Sequence, residues 1–268
     1  MNLQGCRTLL TGAGSGIGRS LAIALGRRGA KLALVGRNAA RLAEVAHAVI
    51  QAGGHAIAVP EDLSIPERHE SLVQSVHARL GGIDLLINNA GVSGFGEYAL
   101  EKPSDINNLI NTNVTAPLLL SRAVLPGMLA AGQGRIVNVG SILGSIGFPH
   151  FAAYSASKFA LRGFSEALRR EVAGSGVGVT YVAPRTTRTD FNSDALYKIS
   201  ADSGAAVDTP DSVAGIIVDA LIAERDEVYI GWPEKLAVRL NALLPCIVSA
   251  AIGKQVAATR QLLRSTGS

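Results

Sequence analysis

The sequence predicts an α/β fold, a doubly wound parallel β-sheet with helices on both faces. Over the first two-thirds of the chain, short apolar runs alternate with longer segments of helical periodicity, and this alternation is typical of βαβ units. The 268 residues are 48% hydrophobic, which is enough for one large core. Because no repeat, low-complexity tract or linker is present, we expect a single domain over residues 1–268.

Each element is predicted from its local pattern. The predicted strands are the apolar runs Thr8–Leu10, Lys31–Val35, Ala56–Val59, Asp84–Ile87, Arg135–Val139 and Val177–Val182. Between them, helical periodicity covers Ile17–Gly29, Ala39–Ala52, Glu67–Leu80, Ser104–Ala131 and Ala152–Ala173. Glycines at positions 29, 53 and 174 follow three of these helices, as C-terminal caps do. Pro117 and Pro126 lie within the long segment, so we expect a kink or break there.

Composition and charge argue against several classes of protein. The formal net charge is +4, but the Lys and Arg residues are scattered singly or in pairs, which argues against nucleic-acid binding. Cys6 and Cys246 are far apart and the five histidines show no ligand spacing, so we expect neither a disulfide nor a metal site. The chain enters a strand-like run within a few residues of Met1, without a secretory signal, so we expect a cytoplasmic protein.

A glycine-rich turn joins the first predicted strand to the first predicted helix. It reads Thr11-Gly12-Ala13-Gly14-Ser15-Gly16-Ile17-Gly18. Glycine lets backbone N–H groups approach a pyrophosphate closely, and the following helix N-terminus favours an anion. The common G-x-G-x-x-G spacing fails here, and T-G-x-x-x-G-x-G fits instead. Its position between strand and helix favours a dinucleotide site over a merely flexible loop.

The end of the second predicted strand indicates which dinucleotide is bound. It reads Val35-Gly36-Arg37-Asn38, without the carboxylate that would bind the ribose 2′-hydroxyl of NAD. The guanidinium of Arg37 suits the 2′-phosphate of NADP, because its planar donors match phosphate oxygens. The alternative is a solvated loop arginine. We therefore predict NADPH as the cofactor.

Tyr154 and Lys158 are four residues apart in a helical segment, so both side chains lie on one helix face. A tyrosine has a pKa near ~10 in water, and a nearby ammonium is expected to lower it. The pair is a candidate proton donor or base for a carbonyl/alcohol couple. Ser141 directly follows an apolar strand, where a hydroxyl can hold the substrate oxygen. Ser145 is the alternative.

Asn113 is a further candidate, because its amide could support a water molecule that links Lys158 to solvent. The ordinary alternative is an asparagine inside a helix that binds backbone groups. The residue chemistry does not distinguish Asn113 from Asn111.

With these motifs and Asn88-Asn89-Ala90-Gly91, the chain resembles the short-chain dehydrogenase/reductase family over roughly residues 5–232. The resemblance implies a Rossmann-type sheet of about seven parallel strands, a small-molecule carbonyl or alcohol substrate, and a homodimer or homotetramer paired through the helices around 104–131 and 152–173. It also implies that Asn113 is the fourth catalytic residue and that Ser141, rather than Ser145, is the serine.

The resemblance assigns cofactor contacts along the chain. They are Gly12, Ser15, Gly16, Ile17, Gly18, Arg37, Asp62, Leu63, Asn89, Ala90, Gly91, Tyr154, Lys158, Pro184, Thr187 and Thr189. The Asp62-Leu63 pair would hold the adenine, Asn89 to Gly91 would lie beside the adenosine ribose, and Thr189 would contact the nicotinamide carboxamide. One departure is Pro184-Arg185 where the family has Pro-Gly. Arg185 and Arg188 either reach an anionic substrate group or are solvated.

The C-terminal segment 233–268 is expected to be a helical extension. Leu240–Gly253 carries no charge and is mostly apolar, but it is shorter than the roughly 20 residues that a membrane span needs. Three interpretations of this segment are open. It is a roof over a hydrophobic substrate cleft, a contact between subunits, or a shallow helix on a membrane surface. The first and third interpretations favour a lipophilic substrate such as a fatty-acyl or long-chain ketone.

The leading hypothesis is therefore an NADPH-dependent oxidoreductase that interconverts a carbonyl and an alcohol. One alternative is a non-catalytic NADP(H)-sensing protein on the same fold. Another is a different Rossmann enzyme such as a methyltransferase, which would not explain Ser141, Tyr154 and Lys158 together.

Overall fold

A computed structural model describes residues 1–191, Tyr197 and residues 206–253. Its centre is one seven-stranded sheet in the order β3-β2-β1-β4-β5-β6-β7, with every neighbouring pair parallel. The strands are β1 Arg7–Thr11, β2 Lys31–Gly36, β3 His55–Pro60, β4 Leu85–Asn88, β5 Gly134–Val139, β6 Val177–Ala183 and β7 Glu227–Tyr229. The predicted parallel sheet of about seven strands is confirmed. Only β7 has no counterpart among the runs predicted from local pattern.

Helices cover both faces of the sheet, as predicted. They are α1 Gly16–Gly26, α2 Ala39–Gln51, α3 His69–Leu80, α4 Pro103–Ile110, α5 Ala116–Ala131, α6 Ala152–Glu171, α7 Pro210–Ile222 and α8 Trp232–Leu243. Residues 245–253 are also helical. One buried core joins α1, α2 and α7 to the sheet, and a second joins α3, α5 and α6 to its other face. Of the predicted C-terminal extension, residues 254–268 lie outside the described residues.

The long predicted helix over 104–131 is interrupted. A π-helical turn at Asn111–Thr115 separates α4 from α5, and the Ala116 N–H bonds the Asn111 carbonyl. Pro117 follows at the start of α5 and has no N–H to donate, so a regular α-helix cannot continue through this point. The predicted break is confirmed here. At Pro126 no break occurs, because α5 continues across it, and the kink expected there as the other outcome stays a prediction.

The interrupted stretch Pro103–Ala131 is also the one described helical segment long and apolar enough to cross a membrane, with a mean hydropathy of 1.5. Its buried side chains, Leu120, Val124 and Met128 among them, pack in the core between the sheet and α3. Packing against the sheet accounts for part of this hydropathy, since 33% of the apolar window is buried.

The order of the strands determines where along the carboxyl edge of the sheet a ligand can bind. The chain leaves β1 toward β2 and β3 on one side, and β4 continues on the other side of β1. The loops after β1 and β4 therefore separate at the carboxyl edge and leave a crevice, where ligands bind in open α/β sheets.

Candidate active site

A cleft of about 950 Å³ lies in this crevice. The glycine-rich turn lines one end of it, and Ser141, Tyr154 and Lys158 line the middle. Each of the predicted cofactor-contact residues also lines this cleft. The structure thus brings together residues that are spread over almost 180 positions of the sequence.

The glycine turn leaves no room for side chains at Gly12, Gly16 and Gly18. A Cβ on Gly18 would lie 2.1 Å from the Gly12 carbonyl oxygen, and one on Gly12 would lie 2.8 Å from the Ala90 Cα. Ser15 begins α1 without capping it by its side chain, and the first turn of α1 carries no acidic residue. The first N–H groups of α1 therefore face the cleft without a side-chain acceptor, and this arrangement fits a dinucleotide pyrophosphate.

Two side chains hold the turn in place, Thr11 at the end of β1 and Asn89 directly after β4. The Thr11 hydroxyl donates to the Ile87 carbonyl at 3.2 Å and accepts from the N–H groups of Asn89 and Ala90 at 2.9 and 3.0 Å. The Asn89 amide donates to the carbonyls of Thr11 and Gly12 at 3.0 and 3.3 Å. Asn89 thus fixes the glycine turn, whereas the family resemblance placed it beside the adenosine ribose. The sequence motif includes Thr11, but it did not indicate these contacts.

Charged residues surround the end of the cleft beyond the glycine turn. Arg37 is exposed after β2, close enough to Asp62 to lower the pKa of that carboxyl, although the main cause is its hydrogen bond from the Ser64 N–H. Asp62 accepts both the N–H and the hydroxyl of Ser64 at 2.9 and 2.8 Å. Glu61 is engaged with Arg68 at 3.1 Å. The acidic groups here are thus already bonded, and Arg37 projects beside the cleft.

Ser141 follows β5 with an extended backbone. Its hydroxyl accepts from the Leu143 N–H at 3.1 Å, and it contacts the Tyr154 hydroxyl. The alternative, Ser145, is buried 3.5 Å from the Tyr229 hydroxyl and does not line the cleft. Of the two serines, Ser141 is therefore the one whose side chain faces Tyr154.

Tyr181 supports the backbone of Ser141 from β6. Its hydroxyl donates to the Ser141 carbonyl at 3.1 Å and lies 3.5 Å from the Ser141 N–H. Gly140 and Gly144 make space for the phenol, since a Cβ on either would lie within 2.4 Å of it. Sequence reasoning missed Tyr181, because an aromatic residue in a buried strand has the same pattern as an ordinary core residue.

Tyr154 and Lys158 are both buried in the cleft wall, on one face of α6. Burial raises the pKa of Tyr154 to about 12, and the hydrogen bond with Ser141 opposes this only in part. Burial also lowers the pKa of Lys158 to about 8. The Lys158 ammonium donates to the Val139 carbonyl at 3.1 Å and lies 5.6 Å from the centre of the Tyr154 ring.

The expectation that Lys158 lowers the pKa of Tyr154 is therefore wrong for this structure. Burial is the largest cause of both pKa shifts, because each group loses the solvent that stabilises its charged form. At neutral pH Tyr154 is a neutral phenol and Lys158 an ammonium. This is the protonation state that a proton donor for carbonyl reduction needs.

Asn113 lies in the π-helical turn and is fully buried. Its amide oxygen accepts from the Val92 N–H at 2.8 Å, and its amide nitrogen donates to the Val92 carbonyl and the Ser157 hydroxyl. The side chain thus anchors the segment after β4 to α6. It binds backbone groups, as the ordinary alternative predicted. The water-bridging role remains a prediction.

The segment after β6 borders the cleft opposite the glycine turn. Pro184, Thr187 and Thr189 line it, and a Cβ on Gly16 would lie 2.9 Å from the Thr189 Cγ2. The Tyr197 hydroxyl accepts from the Thr189 N–H at 2.7 Å. Thr187 pairs with Asp208 in an isolated parallel bridge. The residues predicted to contact the nicotinamide are therefore beside the start of α1.

Arg185, the departure from the family pattern, is fixed by two carboxylates. Its guanidinium binds Asp208 through two hydrogen bonds of 2.9 Å and approaches Glu234 of α8 at 3.4 Å. Both carboxylates are largely buried beside it. The suggestion that Arg185 reaches an anionic substrate group is wrong in this structure, because its charge is already neutralised. Arg188 is exposed.

The remaining wall of the cleft is apolar, and the C-terminal helices supply part of it. Aliphatic and aromatic side chains line it around Tyr154: Val92, Leu143, Ile146, Phe148, Phe151, Phe191, Leu240, Ile247, Val248 and Ile252. The Asn241 amide donates to the Ser145 carbonyl at 3.0 Å and holds α8 over the site. These contacts support the interpretation of this segment as a roof over the cleft, and the subunit-contact and membrane-surface interpretations stay predictions.

Comparison with known proteins gives the same assignment. The model of the short-chain dehydrogenase family matches residues 7–198. Ketoacyl reductase HetN of Nostoc sp. is 38% identical over 229 residues, which cover 85% of this chain and 79% of that protein. The 3-oxoacyl-(acyl-carrier-protein) reductase FabG of Vibrio cholerae is 37% identical over 191 residues, 71% of this chain and 77% of that protein.

A solved structure is similar over nearly the same range. The crystal structure of a metagenomic short-chain oxidoreductase in complex with NADP superposes with a TM-score of 0.73 at 34% identity, covering 86% of this chain and 98% of that one. The seven-stranded parallel sheet, the glycine turn and the family match agree with one another. The chain therefore belongs to the short-chain dehydrogenase/reductase family of NAD(P)-dependent oxidoreductases.

Proposed function

We propose that this chain is an NADPH-dependent reductase of ketones on lipophilic chains, of the 3-oxoacyl type. The observation that carries the substrate class is the apolar arm of the cleft, which runs from Tyr154 to the C-terminal helices. An apolar wall that touches a substrate chain favours longer chains, by about 0.8 kcal/mol per buried methylene. The names of the relatives HetN and FabG, both ketoacyl reductases, support the same class.

Each residue of the reacting centre has a separate task in this proposal. A bound nicotinamide supplies a hydride, which the carbonyl carbon of the substrate accepts. Ser141 holds the carbonyl oxygen by a hydrogen bond, and Tyr154 gives that oxygen the proton of its hydroxyl. The product is an alcohol, and Tyr154 is left as a phenolate. Lys158 stabilises that phenolate because its pKa of about 8 keeps the side chain an ammonium at neutral pH.

The preference for NADPH rests on the end of β2. Arg37 is exposed beside the cleft, and the neighbouring carboxylates of Glu61 and Asp62 are bonded to Arg68 and Ser64. Arg37 forms no ion pair within the part of the chain that the structure describes, so its guanidinium is available to a phosphate bound there. We expect Arg37→Ala to weaken NADPH binding about tenfold or more, the loss of a charge-assisted hydrogen bond, and to leave NADH binding unchanged. Equal affinities for the two nucleotides in the unmodified protein would exclude the preference.

The substrate class is tested by following NADPH consumption against ketones and 3-oxoacyl thioesters of increasing chain length. We expect kcat/KM to rise by up to about fourfold per methylene, and Tyr154→Phe to abolish turnover. Leu240→Ser should flatten the rise with chain length, because Leu240 lines the cleft. Leu244→Ser is the matched control, since Leu244 is half-exposed and outside the cleft.

Two results would contradict the proposal. A kcat/KM independent of chain length would refute the lipophilic substrate and leave the reductase chemistry in place. Tight NADPH binding without turnover of any member of the series would favour the NADP(H)-sensing alternative.

A further inference from the structure

Helix α8 presents two different faces. Its inner face is held by Glu234, which pairs with Arg185, and by Asn241, which donates to the Ser145 carbonyl. Val238 on the same side is buried. These contacts fix the orientation of α8, so the direction in which its opposite face points is also fixed.

The outer face of α8 is apolar and basic. Trp232, Leu236, Arg239 and Leu243 are spaced at i, i+4, i+7 and i+11, so they form one stripe along the helix. Trp232, Leu236 and Leu243 are 74%, 58% and 79% exposed. We call these four residues the α8 stripe. Large apolar side chains that point into solvent along one helix face mark an interaction surface.

Charge indicates the kind of partner. From Lys235 to Ser268 the sequence has no acidic residue, and it has basic residues at Lys235, Arg239, Lys254, Arg260 and Arg264. A helix with tryptophan and leucine on one face and Lys or Arg beside them is typical of segments that lie in the headgroup region of an anionic bilayer. Tryptophan itself favours the interface between water and hydrocarbon.

A second copy of the chain fits this surface less well. The net positive charge of the segment would repel the same segment of another copy. The oligomer that the family resemblance predicts pairs through α4, α5 and α6, whereas the α8 stripe begins after β7.

We propose that the α8 stripe binds the surface of anionic lipid membranes. The stripe inserts its apolar side chains among the headgroups, and Lys235 and Arg239 of α8 contact lipid phosphates. The proposal depends on the outer face of α8 alone and not on the reductase activity. Its consequence for a lipophilic substrate is that the bilayer lies next to the helix that roofs the cleft.

The protein carries its own probe for this binding. Trp232 is the single tryptophan of the chain, so its fluorescence reports directly on the stripe. We expect vesicles of equimolar phosphatidylcholine and phosphatidylglycerol to shift its emission to shorter wavelength. Pure phosphatidylcholine vesicles should give a much smaller shift, and NaCl at about 0.5 M should reverse most of the effect, because salt screens the attraction.

Variants locate the binding surface. Leu236→Glu and Leu243→Glu place a negative charge on the stripe, and each should weaken vesicle binding about tenfold. Ile50→Glu is the matched control, because Ile50 is a half-exposed apolar residue near the end of α2, at the opposite edge of the sheet. NADPH binding by each variant checks that the protein is folded.

A second label gives an independent readout. Cys246 is exposed, whereas Cys6 is buried and burial raises its thiol pKa to about 11, so a polarity-sensitive dye reacts selectively with Cys246. The dye should report an apolar environment only with anionic vesicles. The proposal is overturned if Trp232 emission ignores anionic vesicles. It is also overturned if the emission shifts with protein concentration in the absence of lipid and Leu243→Glu removes that shift, since a second copy would then cover the stripe.

Discussion

Tyr181 is expected to act on catalysis through Ser141. The substitution Tyr181→Phe keeps the ring that Gly140 and Gly144 accommodate and removes only the hydroxyl. That hydroxyl donates to the Ser141 carbonyl at 3.1 Å and is the neighbour of the Ser141 N–H at 3.5 Å. The Ser141 carbonyl keeps one other donor, the Gly144 N–H at 2.9 Å. The change therefore loosens the backbone of Ser141, which holds the substrate oxygen, and leaves no cavity in the core.

The expected magnitude follows from these contacts. One net hydrogen bond contributes about 1 kcal/mol to stability, and a buried N–H without a partner adds a comparable cost. A loss of about 1–2 kcal/mol lowers the thermal midpoint by several degrees in a chain of this size. If the freed Ser141 hydroxyl loses about 1.4 kcal/mol of its interaction with the transition state, kcat falls about tenfold. KM should change little, because the hydroxyl acts on the reacting oxygen.

The assay measures kcat, KM and the thermal midpoint of Tyr181→Phe beside Tyr229→Phe. Tyr229 is the matched control, since its ring packs edge-on against Tyr181 and its hydroxyl contacts Ser145 at 3.5 Å instead of Ser141. A merely structural role would lower both midpoints and leave both kcat values intact. The reasoning is refuted if Tyr181→Phe keeps kcat within about twofold, a difference under 0.5 kcal/mol, or if Tyr229→Phe loses as much.

Two further predictions concern buried charges. Folding lowers the pKa of Lys158 from 10.5 to about 8, so the unfolded chain binds more protons between these values and the stability of the protein should rise with pH in that window. Lys158→Met should then be inactive but more stable than the unmodified protein at pH 7, by about 3 kcal/mol. Urea unfolding at pH 7 and pH 10 measures the free energy of unfolding of both proteins. A variant less stable than the unmodified protein at pH 7 would contradict the prediction. Arg185→Met and Asp208→Asn should each destabilise the protein, and the double variant should show a coupling energy of about 2 kcal/mol. Additive effects in that double-mutant cycle would mean that the bidentate pair contributes nothing of its own.

The sequence predicts those parts of the molecule that local pattern determines. Six strands, the glycine turn and the spacing of Tyr154 and Lys158 are all visible within short windows. The strand β7, Glu227–Tyr229, has only three residues, which is too few to show an alternation of apolar and polar residues. Helix α1 ends at Gly26, before the predicted Gly29, because the last residues close a turn that periodicity cannot distinguish from helix.

What the sequence could not predict depends on distant partners. Arg185 pairs with Asp208 and Glu234, 23 and 49 residues away, and no local signal links them. The pKa of Tyr154 depends on how completely the fold removes the side chain from water. The direction of its pKa shift was therefore predicted wrongly from the neighbouring Lys158. Thr11 and Tyr181 act through contacts across the sheet, and a buried threonine or tyrosine in a strand gives no hint of such contacts.

The π-helical turn at Asn111–Thr115 makes the long helical segment sensitive to length rather than to composition. A π turn holds one residue more than an α turn, so deleting one of its residues other than Asn113 would change the register between α4 and α5. The deletion would rotate α4 relative to α5 by about 100° about the helix axis. Asn113 would then turn away from Val92, and Leu109 would leave its buried position. Point substitutions on the exposed side of α4 should be tolerated where a single deletion is not.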